Sequence, residues 1–193
     1  MNVHPDLAHV QGAHKRILIA CIGNIFLGDD GFGVEVARRL LQRGSAYYPK
    51  GVQVVDFGIR GIELAYALLD ERDVLVLVDA VPRGGTPGTL YLIEPDLTAL
   101  DMQKGAETER IALDAHNMDP LKVLAFARTL GAKPISTLLV GCEPAVPVND
   151  GYAEMQIGLS QPVEAAIEKA VNMIDELVAD LCSSNQQKSN QAT

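Results

Sequence analysis

Cysteine is scarce in this chain, and basic charge is outnumbered by acidic charge. Cys21, Cys142 and Cys182 are odd in number and form no C-x-x-C spacing, which argues against a disulfide scaffold and a structural zinc site. A reducing, cytoplasmic location is expected. Sixteen lysines and arginines face 25 aspartates and glutamates, a formal net charge of −9. That balance argues against a nucleic-acid or anionic-membrane partner, which would favour basic patches. No apolar run approaches the roughly 18 residues of a membrane span. The first 15 residues carry His4, Asp6, His9 and His14 and lack the apolar centre of a signal peptide, so no export is expected. Gly-x-Gly-x-x-Gly is also missing, with Cys21-Ile22-Gly23-Asn24-Ile25-Phe26 in its place, a poor match to dinucleotide binding. What remains is ordinary: 193 residues, 48% hydrophobic and 21% charged, the size and composition of one globular domain.

The order of elements predicts the fold. Ile17 to Ile22 is a short apolar run, the pattern of a strand buried on both faces. A glycine-rich turn follows, and a helical pattern starts at Gly31, with Phe32, Val36 and Leu40 on one face. A second strand spans 52–57 and closes in Gly58-Ile59-Arg60-Gly61; Ile62, Tyr66 and Leu69 mark the face of a short helix. Val74 to Val78 is continuous, rich in valine and apolar, hence a central strand, and it runs directly into Asp79. After a turn cluster at 82–88, residues 89–93 read as a strand near an edge, where an antiparallel pairing is open to it. Residues 95–115 read as a long connection. Asp119 as N-cap, Pro120 at N1 and Gly131 after Leu130 bound another helix. Residues 136–142 form a last buried strand. A final helix starts at Pro162, with Val163, Ile167, Ala170, Val171, Ile174, Val178 and Leu181 in one stripe. Residues 1–15 are expected to be a loose tail, 16–182 the domain and 183–193 a disordered polar tail. The pattern predicts a single-domain α/β three-layer sandwich, its twisted, mostly parallel five-stranded sheet flanked by helices.

Three residues stand out for chemistry. Asp29 and Asp30 open a helix, where one aspartate would serve as a cap. A second carboxylate beside the first costs repulsion unless a cation balances it, and the pair disfavours a phosphate at that terminus. Asp79 ends the central strand, where open α/β sheets place ligands. His116 is the one histidine outside the N-terminal stretch. An aspartate of the Asp29-Asp30 pair, Asp79 and His116 together make an open O,O,N set suited to a divalent transition metal, with positions free for substrate or water. Cys142 also ends a strand; buried packing is the commoner role for such a residue, and a nucleophile activated by His116 the rarer one. Asp56 and Arg60 flank the second loop and could orient a peptide or pair with neighbours.

The stretch Gly23-Asn24-Ile25-Phe26-Leu27-Gly28-Asp29-Asp30-Gly31-Phe32-Gly33 resembles the N-terminal signature of the hydrogenase maturation proteases. The likeness continues through Asp56 to Gly61, Leu77 to Ala80, Pro87 to Thr89, the His116 loop and Leu139 to Gly141, covering roughly residues 16–182. Two departures are Cys21, where many members carry glycine, and Ile59-Arg60, where many carry a Gly-Thr-x turn. The resemblance implies a metal-dependent endopeptidase of aspartic/metallo type. It would remove a C-terminal peptide from the precursor of a [NiFe]-hydrogenase large subunit. The nickel would be carried by the substrate, with no tight resident metal. Asp30, Asp79 and His116 would be both metal-binding and catalytic, and Asp29, Gly58, Arg60 and Gly61 would contact the substrate; Asp29 or Asp30 could activate the water. A monomer that acts on this protein partner, and on neither nucleic acid nor membrane, is expected. A non-cleaving nickel-recognition chaperone would use the same ligands, and a small-molecule hydrolase or nucleotide binder on a similar sheet is the third reading.

Overall fold

All six side chains of β1 (Ile17–Ile22) are buried, as an unbroken apolar run between two helical layers must be. The computed structural model describes residues 14–97, 120–145 and 155–190 of the chain, with 184–190 described as backbone only. After β1 come a 3-10 turn (Gly28–Gly31) and α1 (Phe32–Gln42), then β2 (Val52–Gly58), α2 (Gly61–Ala67) and β3 (Val74–Ala80). They are followed by β4 (Leu90–Ile93), α3 (Pro120–Thr129), β5 (Ser136–Cys142), α4 (Gln161–Glu164) and α5 (Ile167–Asn190). The described strands form one five-stranded sheet in the order β2-β1-β3-β5-β4. Every pairing is parallel except that of β4, which lies antiparallel on β5 at the edge.

The alternation of side chains along β1 and β3 feeds two cores. Ile17, Ile19, Cys21, Val74, Val76 and Val78 face α1 and α5, meeting Phe32, Val36 and Leu40 on one and Ile167, Val171 and Ile174 on the other. Leu18, Ala20, Ile22, Leu75 and Leu77 face the opposite way, against Leu64, Ala65 and Leu68 of the α2 segment and Val123, Leu124 and Ala127 of α3. Burying a side chain of this size is worth about 1.5–3 kcal/mol, so the paired helical layers account for why both faces of the sheet are apolar. The expected α/β three-layer sandwich is present. Among the described residues no helix is long and apolar enough to cross a membrane.

Three expectations change. The face of α2 is not Ile62, Tyr66 and Leu69, which are 36%, 56% and 43% exposed; Leu64, Ala65 and Leu68 pack instead. In a seven-residue helix both sets satisfy the i, i+3 and i+4 spacing, and the turn from β2 selects the phase. The C-terminal helix breaks after Glu164 and resumes at Ile167. It then runs to Asn190, through most of the stretch expected to be a disordered polar tail. No glycine or proline interrupts residues 167–190, so nothing stops propagation once the apolar stripe has nucleated it. The tail at 1–13 and most of the 95–115 connection lie outside the described residues.

Candidate functional site

The rim forms where β1 and β3 lie side by side. The chain passes from β1 outward to β2 and returns across β1 to β3, so the connections leaving these neighbours diverge and open a crevice at their carboxyl ends. Two glycines let the first loop close onto that end. At Gly23, with φ 140°, an added Cβ would fall 1.9 Å from the carbonyl oxygen of Asp30. At Gly33 it would fall 2.1 Å from the Ile22 carbonyl oxygen and 2.4 Å from that of Val78. Only hydrogen at these two positions permits the fold-back and seats α1 on both strand ends.

Asp30 is held from inside its own loop. The Asn24 N–H donates to Asp30 Oδ2 at 2.9 Å and to the Asp30 carbonyl at 3.2 Å. Asn24 Oδ1 in turn accepts from the Phe26 N–H, an Asx turn. Asp79 is 9% exposed, and its Oδ1 accepts from the Ala80 N–H at 2.8 Å. The contact of Gly33 with Val78, one residue before Asp79, sets the two acidic loops against the same strand ends. Among the described residues, no three His, Cys, Asp or Glu side chains form a group that could hold a metal ion. His116 lies outside the described residues, as do His4 and His9.

Asp29 does something else. It is 8% exposed, and its oxygens accept from the Ala145 N–H at 2.7 Å, the Ser160 N–H at 2.6 Å and the Ser160 hydroxyl at 2.9 Å. Those three donors turn the carboxylate inward, so in this structure Asp29, expected at the substrate, is an internal clamp. Gly58, Arg60 and Gly61 form the turn between β2 and α2. The Gly23 N–H donates to the Gly58 carbonyl at 3.0 Å, stitching this turn to the first loop. Arg60 is exposed; its guanidinium donates to the Asp56 carbonyl and pairs with Glu63 at 3.0 Å. Gly61 is buried at the start of α2. Asp56 Oδ1, near the end of β2, is buried with no hydrogen-bond partner among the described residues.

Cys142 is fully buried. Burial first, then the charges of Asp29 and Glu143, push its thiol up to about 12, which suits a packing residue better than a thiolate nucleophile. The next residue is Glu143. Its carboxylate is 4% exposed and accepts from the Arg83 N–H at 3.0 Å, the Gly84 N–H at 2.9 Å and the Tyr91 hydroxyl at 2.7 Å. Burial pushes the Glu143 carboxyl up, but Tyr91 and the Arg83, Gly85 and Gly84 amides outweigh that and hold it below its ordinary value. The available signal was the Gly84-Gly85 pair, an exposed turn of bare amides suited to a carboxylate.

Comparison with known proteins fits this architecture. A family model described as hydrogenase maturation protease matches residues 34–177. The chain is 32% identical over 161 residues to the hydrogenase 2 maturation protease of Escherichia coli K12, covering 82% of this chain and 88% of that protein. It is 35% identical over 162 residues to the hydrogenase expression/formation protein HupM of Azotobacter chroococcum, covering 84% and 71%. The structure superposes on the hydrogenase maturating endopeptidase HybD of E. coli with a TM-score of 0.63 at 30% identity, covering 86% of this chain and 93% of that one. With its rim acids at the mouth of the matching sheet, the chain belongs to the hydrogenase maturation protease family.

Proposed function

We propose that this protease removes a C-terminal peptide from the nickel-loaded precursor of a [NiFe]-hydrogenase large subunit, reading the substrate's own nickel through Asp30, Asp79 and His116. The observation that carries the reading is the packing of α1 at Gly33, which sets the Asp30 loop and the Asp79 strand end on one rim. His116, which lies outside the described residues, joins them on the sequence reading and the family resemblance. Two carboxylates and an imidazole leave coordination positions open on a nickel ion that arrives with the substrate. A scissile carbonyl or a water held on that ion would be polarised for hydrolysis. The turn Gly58-Ile59-Arg60-Gly61 borders the rim and is assigned to the peptide on either side of the cut. A monomer acting in the cytoplasm on a protein partner is consistent with the acidic surface.

The test is mass spectrometry of a large-subunit precursor incubated with the protein, with and without inserted nickel. Nickel-dependent loss of a short C-terminal peptide is the expected result. Asp79→Asn should abolish it while leaving the melting temperature close to wild type. Cleavage that ignores nickel, or a normal rate in Asp79→Asn, would sink the reading; nickel-dependent binding without cleavage would point to recognition alone.

A further inference from the structure

The loop leaving β5 touches both acidic loops of the rim. Ala145 donates its N–H to Asp29, the neighbour of Asp30, at 2.7 Å. Two residues earlier, Glu143 receives the N–H groups of Arg83 and Gly84, from the turn that follows Asp79. The main chain of Glu143 is tied down as well. Its N–H donates to the Thr89 carbonyl at 2.9 Å and its carbonyl accepts from Gly88 at 2.8 Å, while Val81 N–H donates to the Cys142 carbonyl at 2.8 Å. The far end of Asp29 holds Ser160, at the start of α4. The path therefore runs from Asp30 and Asp29 through Ala145 to Glu143, and from there to the 83–85 turn and Asp79, with a buried carboxylate at each junction.

We propose that Glu143-Pro144-Ala145 is a brace that sets the spacing between Asp30 and Asp79, with Glu143 a positioning residue for nickel recognition. The proposal rests on the nickel reading above. Glu143 faces backbone amides and a phenol, not the crevice, so it acts through the loops it holds. A carboxylate that received amides only to stabilise the fold would matter to stability alone. A brace matters to selectivity for the metal-bearing substrate, because ligands displaced by a fraction of an ångström bind an ion less well.

The experiment compares wild type, Glu143→Ala, Glu143→Gln and Gly85→Ala. Affinity for nickel-loaded and nickel-free precursor is measured, with hydrogen exchange at the Arg83 and Gly84 amides of the free proteins. Glu143→Ala should expose those amides and lower the ratio of loaded to unloaded affinity about 10–100-fold, leaving affinity for the nickel-free form unchanged. Glutamine keeps an oxygen for the amides and can donate to Tyr91, so Glu143→Gln should stay near wild type. Gly85→Ala, on an exposed turn, guards against a Glu143→Ala protein that fails to fold. Its Cβ would meet Tyr91 Oη at 2.2 Å and Glu143 Oε2 at 3.3 Å, and it should lower the ratio in the same direction. Wild-type selectivity in a Gly85→Ala or Glu143→Ala protein with exposed amides would overturn the brace alone. So would a Glu143→Gln loss as large as that of Glu143→Ala, since the charge would then act directly. A wild-type protein that binds both precursors alike would overturn the nickel reading, and the brace's role with it.

Discussion

Replacing Gly33 by alanine probes how the rim is assembled. The added methyl would sit 2.1 Å from the Ile22 carbonyl oxygen and 2.4 Å from the Val78 carbonyl oxygen, both of them backbone in buried strands. Real Cβ atoms do not approach within 3.0 Å, so the helix must retreat by about 0.9 Å, the difference between that limit and the nearer contact. Overpacking of this kind costs ~1–3 kcal/mol, offset by about 1 kcal/mol because alanine is the better helix former. A net loss of about 0–2 kcal/mol corresponds to a fall of roughly 0–8 °C in melting temperature for a chain of this length. Activity should fall further than stability, since a displacement near 1 Å in catalytic geometry can cost on the order of 100-fold. Thermal melting by circular dichroism and kcat/KM for nickel-loaded precursor by mass spectrometry measure the two separately. An unchanged kcat/KM together with a raised melting temperature would refute the claim that α1 positions Asp30 against Asp79.

Asp29→Ala strips a buried acceptor from three donors. A loss of about 3–5 kcal/mol in chemical denaturation is expected, and a change below about 1 kcal/mol would mean the clamp is replaceable by water. Cys142, buried with its thiol pushed up to about 12, should resist iodoacetamide at pH 8 in the folded protein. Cleavage should survive Cys142→Ser, whereas alkylation accompanied by inactivation would revive a thiol mechanism. The Asp73 carboxyl is held low by its hydrogen bonds from Arg16, Glu71 by Arg16 and Glu35 by Arg38. Depressed carboxyls stabilise the fold above their unfolded values, 3.8 for aspartate and 4.5 for glutamate, and that contribution is lost as pH falls through the folded ones. Melting temperature should therefore hold from pH 7 to about pH 5 and fall below that; a rise on acidification would reverse the sign of this linkage.

Much of the fold was readable because continuous apolar runs have few homes. Val74 to Val78 could only be interior to a parallel sheet, and the stripe from Ile167 to Val178 could only lie on it. The α2 face failed because seven residues carry too little periodicity to fix a phase. At the site, position alone singled out the Asp29-Asp30 pair at a helix entrance and Asp79 at the end of a central strand, and the family resemblance chose Asp30 from the pair. The inward turn of Asp29 was not legible, because the pull comes from Ala145 and Ser160, more than a hundred residues away. Glu143 escaped for the same reason: its partners lie on a turn and a strand some fifty to sixty residues earlier. Local patterns locate a carboxylate, whereas what it grips depends on contacts that only the closed sheet creates.

The antiparallel edge strand bears on the order of assembly. β1, β2 and β3 are contiguous in the chain and can pair as soon as they exist, giving a partial sheet with one hydrophobic flank. β4 is made next, but among the described residues its ladder, Leu90 against Cys142 through Ile93 against Leu139, runs on β5 alone. It must wait for a strand about fifty residues further on, and pairings at such separation form late. Asp79 likewise gains its neighbour Gly141 only when β5 arrives. A nascent chain released before residue 142 would carry both rim acids and much of its core, yet no finished rim, so competence for cleavage would be among the last properties to emerge during synthesis.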